Sequence, residues 1–404
     1  MPDELIRPPT AAETASLVAW AGQTGRRIGV SGGGSKATIG HCARTDVLMD
    51  MSFVSGVLDY APAELVLTAR AGTPLAEIEA ALAEAGQMLA FEPPNYAPML
   101  GATHRAPTLG GMIAANASGS RRLTAGAARD HFLGFEAASG RGELFRAGGK
   151  VVKNVTGYDL SKLVAGSWGT LCVLTEVTLK VMPRPRTAAT LVLPGLSDVE
   201  AVGAMSRALG SAADVSSAAH LPAEVAANAP LGPASQGAAT LLRLEGFGPS
   251  VAARLAMLAD KFGAQAVLDA EETATAWAFV REVRAFVGDD RPVWRISVAP
   301  AAGPKVLAAI RAETACEGFY DWAGGLVWAA VPRTSDGGAA IVRKASAAHG
   351  GHATLIRASS QVRAAVPVFE PEPPALAALT SRIKASFDPL NLLNPGRMYA
   401  EGAR

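Results

Sequence analysis

A glycine-rich turn near the N-terminus is the first stretch whose residue types and spacing could do chemistry. It follows Ile28–Val30, which is typical of a short buried strand, so the turn begins where a strand ends. Successive backbone N–H groups in such a turn can converge on one point and bind an anion such as pyrophosphate, and a terminal lysine adds charge. An ordinary glycine turn explains the pattern equally well, and neither the G-x-G-x-x-G nor the Walker spacing is present. The residues are Ser31, Gly32, Gly33, Gly34, Ser35 and Lys36.

Two later segments also combine glycine with small or polar residues. Pro107–Gly119 has few bulky side chains, which would let its backbone lie against a flat ligand, although close packing of a helix requires the same residues. Gly148–Thr170 places four polar side chains among its glycines, either as turn residues or as ligand-binding residues. Three such segments in one order are hard to attribute to turns alone. The four polar residues are Lys153, Asn154, Tyr158 and Asp159.

Histidines and arginines supply the candidates for catalysis. His349 and His352 stand three residues apart, but no nearby acid or cysteine completes a coordination shell, so we predict no metal site. For removing a proton from a substrate and pairing with its carboxylate, His352 and Arg357 on one predicted strand are candidates. His104 and Arg105, between the first two glycine segments, are candidates for the same two roles. No residue is singled out as the catalytic base.

The composition excludes several classes of function. Lysine plus arginine number 37 against 36 acids in 404 residues, so no net charge would attract nucleic acid or an anionic membrane. Three widely spaced cysteines form neither a disulfide framework nor an iron–sulfur site, and no G-x-S-x-G elbow suggests a serine hydrolase. Neither a signal peptide nor a run of eighteen apolar residues is present, so we expect a cytoplasmic protein that meets membranes only through partners.

Mixed helices and strands must position the three glycine segments. Thr10 and Glu13 have the capping-box spacing, which predicts a helix ending at Gly22 or Gly25. From Val173 to Val181 apolar and polar residues alternate with the period of a half-exposed strand, which makes a natural end of the first domain. The other elements predicted there are strands at 47–50 and 65–70 and a helix at 73–86.

A proline-rich segment, Met182–Arg186, cannot continue as a helix or central strand and marks the domain boundary. Beyond it strands and helices alternate as two βαβ-like units, which predicts a second α+β domain. Ser211–Gln236 has no clean period and is predicted to be an irregular insertion. The predicted strands are 189–193, 239–244, 265–268, 293–298 and 326–331, and the predicted helices are 198–209, 250–262 and 305–312. The predicted domains are residues 1–183, 187–370 and 371–404.

The order of these motifs resembles the FAD domain of the vanillyl-alcohol oxidase superfamily, also called the PCMH type. The glycine loop is followed by T-L-G-G-M-I-A-A-N-A-S-G, then V-V-K-N-V-T-G-Y-D-L, then G-S-W-G-T-L-C-V-L-T-E-V-T-L-K-V. The motif K-N-V-T-G-Y-D is most similar to the corresponding motif of the E-subunit family of bacterial glycolate oxidases. The resemblance is strong over residues 5–183, and the tail F-D-P-L-N-L-L-N-P-G-R at 387–397 also resembles the superfamily.

The resemblance implies an α+β fold, in which an FAD domain of two α+β subdomains is joined to a smaller antiparallel, ferredoxin-like cap. It implies that the glycine loop wraps the FAD pyrophosphate, that Asn394 and Arg397 approach the isoalloxazine ring, and that Glu176 flanks the adenosine half. A histidine in the loop often carries covalent flavin in this superfamily, and this loop has none, so we expect non-covalent FAD. The other residues implied to line the dinucleotide are Thr108, Gly110, Gly111, Ser118, Gly119, Gly157, Tyr158 and Asp159.

By the same resemblance the chain is the FAD-binding subunit of a glycolate oxidase complex that oxidises a small 2-hydroxy acid. The implied partners are a D-type flavoprotein subunit and an iron–sulfur subunit that receives the electrons, since this chain has no cluster ligands. Two alternatives stay open. The chain could serve a catalytic D-type subunit structurally or as an electron relay, or it could be a stand-alone sugar or lactone oxidase.

Overall fold

The first elements follow the order that the sequence predicts. The computed structural model describes residues 4–42, 44–150, 157–232, 237–264 and 266–399. The Thr10 side chain accepts a hydrogen bond from the Glu13 N–H and begins the first helix, which ends at Gly25 with a φ of 67°. The elements up to residue 183 are β1 (Glu4–Ile6), α1 (Ala11–Thr24), β2 (Ile28–Ser31), β3 (Val47–Asp50), β4 (Val57–Ala61), β5 (Val66–Arg70), α2 (Leu75–Glu84), β6 (Gln87–Met88), α3 (Leu109–Ala114), α4 (Arg122–Ala125), α5 (Ala128–His131), β7 (Phe132–Ser139), β8 (Leu144–Gly148), α6 (Leu160–Val164), β9 (Cys172–Lys180) and β10 (Met182–Pro183).

Strands and helices alternate from residue 187 onward, and most predicted elements are present within two residues of their predicted ends. They are β11 (Thr187–Pro194), α7 (Asp198–Leu209), β12 (Ser217–Leu221), α8 (Ala223–Ala226), β13 (Ala239–Gly246), α9 (Gly248–Phe262), β14 (Ala266–Leu268), α10 (Ala270–Arg281), β15 (Val293–Ser297), α11 (Gly303–Glu313), β16 (Glu317–Asp321), β17 (Leu326–Ala330), α12 (Ala339–Ala347), β18 (His352–Arg357), α13 (Ser360–Ala365) and α14 (Pro374–Phe387).

The contacts divide the chain into two compact units. Unit 1 contains residues 1–118, 126–184 and 367–404, and unit 2 contains 119–125 and 185–366. The short segment Gly119–Ala125 is held in unit 2 by side chains: the Ser120 hydroxyl donates to Asp321 at 2.7 Å, and Arg121 pairs with Glu245. The indole N–H of Trp322 donates to the Gly119 carbonyl at 3.0 Å.

Unit 1 contains a small parallel sheet and a larger antiparallel one. The parallel sheet has the order β1-β3-β2, and the C-terminal tail extends it because Leu393 bridges Ile28 in parallel. The antiparallel sheet has the order β4-β5-β9-β7-β8. Its core includes Leu67, Ile78 and Ile113, which are fully buried, so α2 and α3 pack on this sheet.

The strand β9 is buried more completely than predicted. The alternation from Val173 to Val181 predicted a half-exposed strand, but Leu174 and Thr178 are also buried. The prediction was wrong because β9 is the central strand of its sheet, between β5 and β7, and both of its faces are covered. The polar Thr178 is accommodated there because its hydroxyl bonds that of Thr68 on the neighbouring strand at 2.9 Å.

Unit 2 is one antiparallel sheet of eight strands built from two equivalent halves. The sheet order is β14-β11-β13-β12-β16-β17-β15-β18. Each half runs β-α-β-β-α-β along the chain, with its first strand between its third and fourth, which is the ferredoxin-like arrangement. The halves meet where β12 and β16 pair at His220 and Tyr320. The α+β class and the ferredoxin-like cap are therefore confirmed.

One predicted loop is a structural element of this sheet. Ser211–Gln236 was predicted to be irregular, yet it contains β12, whose five residues are all buried, and the short helix α8. The prediction failed because β12 lies inside the sheet and is covered on both faces, so its sequence S-A-A-H-L shows no alternation. In the described part of the chain no helix is long and apolar enough to cross a membrane.

Candidate functional site

The glycine loop packs against the segment that precedes α3. A Cβ on Gly33 would lie 1.8 Å from the carbonyl oxygen of Ala106, and one on Gly32 would lie 2.2 Å from Thr108 Oγ1. Gly34 has a φ of 75°, which glycine adopts without strain. Glycine is thus required at all three positions, twice because another segment of the chain is already there and once because the backbone turns. The sequence predicted the loop but not its contact with Ala106.

The hydroxyl of Thr108 is buried without a hydrogen-bond partner among the described residues. Thr108 is 4% exposed and begins α3, but its side chain does not cap that helix. The space beside it is kept open by glycine, since a Cβ on Gly111 would come within 3.2 Å of the same oxygen. A buried hydroxyl without a partner costs free energy, and a ligand oxygen or N–H at this position would remove that cost.

The C-terminal tail reaches the glycine loop through Asn394 and Arg397. The Asn394 side chain accepts from the Val30 N–H at 2.9 Å and donates to the Trp168 carbonyl at 2.9 Å. Arg397 donates to the Lys36 carbonyl at 3.2 Å, and its guanidinium lies over the Trp168 ring, 5.3 Å from the centroid. Both residues therefore lie at the glycine loop, and Trp168 joins them there.

Lys36 is the charged residue of the loop, and it is 7% exposed. Burial, and secondarily the positive charge of Arg397, lower the pKa of its ammonium group to about 8. The ammonium group has no hydrogen-bond acceptor among the described residues. A pocket of about 370 Å³ in unit 1 has Arg397 and Asn394 in its wall, with Thr170, Lys384 and Tyr399.

The predicted cofactor residues of the second and third glycine segments have different structural roles. Gly110 is required for packing, since its Cβ would lie 2.8 Å from that of Ala71. The Ser118 hydroxyl accepts from the Ala128 N–H, and Gly119 belongs to unit 2. Gly157 has a φ of 80°, while the adjacent Tyr158 side chain is 94% exposed. The motif residues 151–156, with Lys153 and Asn154, lie outside the described residues.

Two further predicted residues make contacts away from the loop. Asp159 caps α6, where its carboxylate accepts from the Lys162 N–H at 3.1 Å. Glu176 lies on β9 with its carboxylate 3.9 Å from the Arg146 guanidinium. Neither contact involves the glycine loop, so the structure gives Asp159 and Glu176 other partners. The predicted residues that it does bring together at the loop are Ser31–Lys36, Thr108, Gly111, Asn394 and Arg397.

The candidate catalytic residues do not form one site. His352 and Arg357 lie at opposite ends of β18, roughly 16 Å apart by strand geometry. The Arg357 guanidinium donates to the carbonyls of Phe286 and Arg291 at 2.6 and 2.9 Å, which gives it a structural role. His104 is exposed, whereas the Arg105 side chain packs on Gly34, 3.4 Å from the Cβ position. In the described residues no three His, Cys, Asp or Glu side chains cluster as a metal site.

Trp168 and Ser167 were not predicted as site residues. Trp168 has a left-handed φ of 55°, and its ring contacts that of Phe369 at 5.5 Å as well as Arg397. Ser167 is 7% exposed, and its hydroxyl has no partner in the described chain. The signal was the tetrapeptide G-S-W-G, which stands inside a cofactor-like motif but could equally have been a core turn.

The glycine loop, the Thr108 hydroxyl and the Lys36 ammonium fit a phosphate-bearing dinucleotide. The loop supplies backbone N–H groups at the end of a strand, the hydroxyl is a buried group without a partner, and the ammonium group supplies charge. These features are what the bound pyrophosphate of FAD requires. The site also offers no histidine within the loop for a covalent bond to flavin.

Comparison with known proteins agrees with this geometry. Residues 2–148 match the FAD binding domain family. Glycolate oxidase subunit GlcE of Escherichia coli (strain K12) is 36% identical over 374 residues, which are 92% of this chain and 92% of that protein. Glycolate oxidase subunit GlcD of Bacillus subtilis (strain 168) is 31% identical over 193 residues, 48% of this chain and 39% of that protein. The structure of p-cresol methylhydroxylase with substrate bound has a TM-score of 0.72 at 15% identity over 98% of this chain and 88% of that chain, which shows the same fold.

Proposed function

The chain belongs to the GlcE family of glycolate oxidase subunits, and from this premise we propose that it is the FAD-binding subunit of a complex that oxidises a small 2-hydroxy acid. The similarity to GlcE extends over nearly the whole of both proteins. The observation that carries the proposal is the buried Thr108 hydroxyl beside Gly32, which completes a site for a phosphate-bearing cofactor where the FAD binding domain family is matched.

In this proposal, Ser31–Lys36 and Thr108 hold the pyrophosphate of FAD, which is bound without a covalent link. When bound, FAD supplies a two-electron acceptor for the hydride that leaves the α-carbon of the hydroxy acid. Asn394 fixes the C-terminal tail to the end of β2, so that the loop keeps its shape. We also propose that seven further residues line the dinucleotide: Gly110, Ser118, Gly119, Gly157, Tyr158, Asp159 and Glu176.

The partners in this proposal are a D-type flavoprotein subunit and an iron–sulfur subunit. GlcD, a subunit of a glycolate oxidase by name, is itself similar to about half of this chain, which is consistent with two related flavoproteins in one complex. Electrons leave through the iron–sulfur subunit because this sequence carries only three cysteines, widely spaced.

A second function is favoured by the positions of the candidate catalytic residues. His352 and Arg357 are separated along β18, and Arg357 is bonded to backbone carbonyls, so neither provides a base next to a carboxylate-binding group. On this reading the chain binds FAD but the D-type subunit carries the substrate chemistry. The stand-alone sugar or lactone oxidase has no observation in its favour.

The purified chain separates these functions by its flavin spectrum. We expect the purified chain to carry flavin that acid releases. If the second function is correct, glycolate added without oxygen should bleach this flavin only when the D-type subunit is present. Bleaching of the isolated chain would instead assign the substrate site to this subunit. A chain that carries no flavin and takes up none when FAD is added would refute the proposal.

A further inference from the structure

The second glycine segment ends where the chain leaves unit 1. Residues up to Ser118 belong to unit 1, the crossing segment Gly119–Ala125 belongs to unit 2, and Gly126 belongs to unit 1 again. The residues that flank the crossing segment are bonded to each other within unit 1, since the Ser118 hydroxyl accepts from the Ala128 N–H at 3.0 Å. The crossing segment is therefore a short loop with fixed ends, and any displacement of it acts directly on Gly119 and Ser118.

The crossing segment is held in unit 2 by polar contacts. Ser120 is 1% exposed and Arg121 is 9% exposed. Burying a polar side chain costs free energy unless it is bonded, so each of these two residues needs a partner. Unit 2 supplies partners at four positions: Asp321 for the Ser120 hydroxyl, Glu245 for Arg121, the Trp322 indole for the Gly119 carbonyl, and the Ser216 carbonyl for the Thr124 hydroxyl at 3.0 Å.

Two of these partners stand in a strained turn after β16. Trp322 and Ala323 have φ angles of 53° and 56°, in the left-handed region that residues other than glycine rarely adopt. The Asp321 carboxylate accepts from the Trp322 N–H at 2.7 Å, so it fixes the turn as well as the Ser120 hydroxyl. Backbone strain of this kind persists only where the surrounding structure imposes it, and it is concentrated at functional positions.

We propose that Asp321 and Trp322 are positioning residues for the cofactor. They hold Gly119 and Ser120, and thereby fix the end of the second glycine segment, so that the affinity of unit 1 for FAD depends on a turn in unit 2. This inference rests on the proposed function, in which Gly119 lines the dinucleotide. Asp321 and Trp322 act through Ser120 and Gly119, and the proposal assigns them no contact with FAD itself.

Holding the end of the segment should favour FAD binding for an entropic reason. Glycine-rich backbone, such as that at Gly110 and Gly111, has more conformations than other backbone, and a ligand that binds it must fix one of them. When the contacts of Asp321 and Trp322 already fix the end of the segment, FAD has less freedom to remove and binds more tightly. The glycine loop Ser31–Lys36 does not depend on these contacts, so their loss should weaken FAD binding without abolishing it.

The test compares two tryptophans of unit 2 that each donate one indole hydrogen bond to a backbone carbonyl. Trp322 donates to Gly119, and Trp294 donates to Gly337 at 2.8 Å, so Trp322→Phe and Trp294→Phe remove matched bonds. The purified chain, freed of flavin, is titrated with FAD and with ADP, which has the pyrophosphate but no flavin ring. We expect Trp322→Phe to bind both about fivefold more weakly, and Trp294→Phe to bind both as the natural chain does.

Two further substitutions test the neighbouring contact between Ser120 and Asp321. Ser120→Ala should weaken the binding of FAD and ADP in the same way, and it decides the question if Trp322→Phe does not fold. Asp321→Ala should weaken binding more, because the turn loses a bond as well as the crossing segment. Asp321→Asn should restore most of the affinity, since its amide oxygen can still accept from the Trp322 N–H.

Hydrogen exchange in the cofactor-free chain separates positioning from a merely structural role. Amides of residues 109–118 should exchange faster in Trp322→Phe than in the natural chain, and at the natural rate in Trp294→Phe. If both variants change exchange and affinity equally, or if Trp322→Phe changes neither, the inference is wrong. If the natural chain binds ADP but no FAD, the proposed flavin function fails, whereas the exchange and ADP affinity of the variants still decide whether the turn positions the segment.

Discussion

At the scale of single residues, the site consists of polar groups whose partners the protein itself does not supply. The Thr108 hydroxyl is buried and has no hydrogen-bond partner in the described chain, and Lys36 is only 7% exposed. The buried hydroxyls of Thr68 and Thr178, in contrast, bond each other at 2.9 Å. A buried hydroxyl without a partner next to the glycine loop fits a ligand at that loop, and it makes the cofactor-free protein less stable than its packing would allow.

Replacing Thr108 by valine tests this directly, because valine has the same shape without the hydroxyl. We expect the cofactor-free Thr108→Val chain to be as stable as the natural chain or more stable by about 1 kcal/mol, and its FAD affinity to fall about tenfold. Urea unfolding and flavin fluorescence measure the two quantities. The matched control is Thr68→Val, which should lose stability, since Thr178 is left unpaired, but not FAD affinity. Equal behaviour of the two variants would contradict the assignment.

The pKa of Lys36 gives two opposite pH dependences. Because its pKa in the folded chain is about 8 and the ordinary value is 10.5, the unfolded chain binds more protons between these limits, and the cofactor-free protein should gain stability as pH rises through that range. A bound anion favours the charged form, so ADP affinity should fall about tenfold from pH 7 to 9. The nearby Arg397 and Arg105 keep their charge throughout. Lys36→Arg should abolish both trends, and an ADP affinity that is flat with pH in the natural chain would count against the site.

At the scale of elements, the C-terminal tail depends on a buried ion pair at the end of α14. Lys384 donates to the carbonyls of Thr170 and Leu393 at 2.6 and 3.1 Å and pairs with Asp388. Asp388 in turn accepts from the N–H groups of Leu392 and Leu393 at 3.0 and 2.8 Å. This cluster ends α14 and positions the residues that follow it, so that Leu393 pairs with Ile28 of β2.

Replacing Lys384 should therefore destabilise the packing of the C-terminal tail as well as the helix α14. Lys384→Met leaves the Asp388 carboxylate buried and uncompensated, which should cost about 3–5 kcal/mol of unfolding free energy, measured by urea titration. The double variant Lys384→Met with Asp388→Asn should recover part of the loss, and Arg382→Met on the exposed face of the same helix should change stability by less than about 0.5 kcal/mol. A loss below about 1 kcal/mol in Lys384→Met would show that the pair contributes little.

Elements with a local cause could be predicted from the sequence, and elements with a distant cause could not. The cap at Thr10, the glycine loop and the helices α7 and α9 follow from residues a few positions apart. The strand β12 and the burial of β9 are decided by neighbouring strands that the local sequence does not reveal. The helix α10 was missed although its signals are local: Asp269 and Glu272 form a capping box, and Ala276, Trp277 and Val280 are buried at helical spacing.

The site divides in the same way. The glycine loop and the tail residues Asn394 and Arg397 could be identified, since their motifs stand together in the sequence. Their contacts could not, because Val30 and Asn394 are 364 positions apart. His352 and Arg357 stand at opposite ends of one strand, and the bonds from Arg357 to the Phe286 and Arg291 carbonyls, which the sequence could not reveal, remove them as a pair.

At the scale of the whole molecule, each unit has its own apolar core. Leu67, Ile78 and Val177 lie in a core of unit 1, and Leu191, Met205 and Leu242 lie in a core of unit 2. The chain passes between the units at residues 118, 125, 184 and 366. Separate cores favour separate unfolding, whereas the four crossings limit how far one unit can unfold alone.

Calorimetry of the cofactor-free chain should resolve two heat-unfolding transitions, of which only one rises when FAD is added in excess. A ligand stabilises the unit that binds it, by about 2.7 kcal/mol at one hundred times its dissociation constant. The transition that rises should be that of unit 1. The variant Lys384→Met identifies it, because Lys384 lies in unit 1 and its loss should lower the temperature of the same transition. A single transition, or an equal rise of both, would show that the units unfold together.

The bridge between Ile28 and Leu393 also determines when during synthesis the protein can acquire its cofactor. Ile28, in the strand that precedes the glycine loop, emerges from the ribosome long before its partner Leu393 in the tail. At about 5–20 residues per second, tens of seconds separate the two. The nascent chain must therefore hold an incomplete site until Leu393 has emerged, and stable loading with FAD follows that moment.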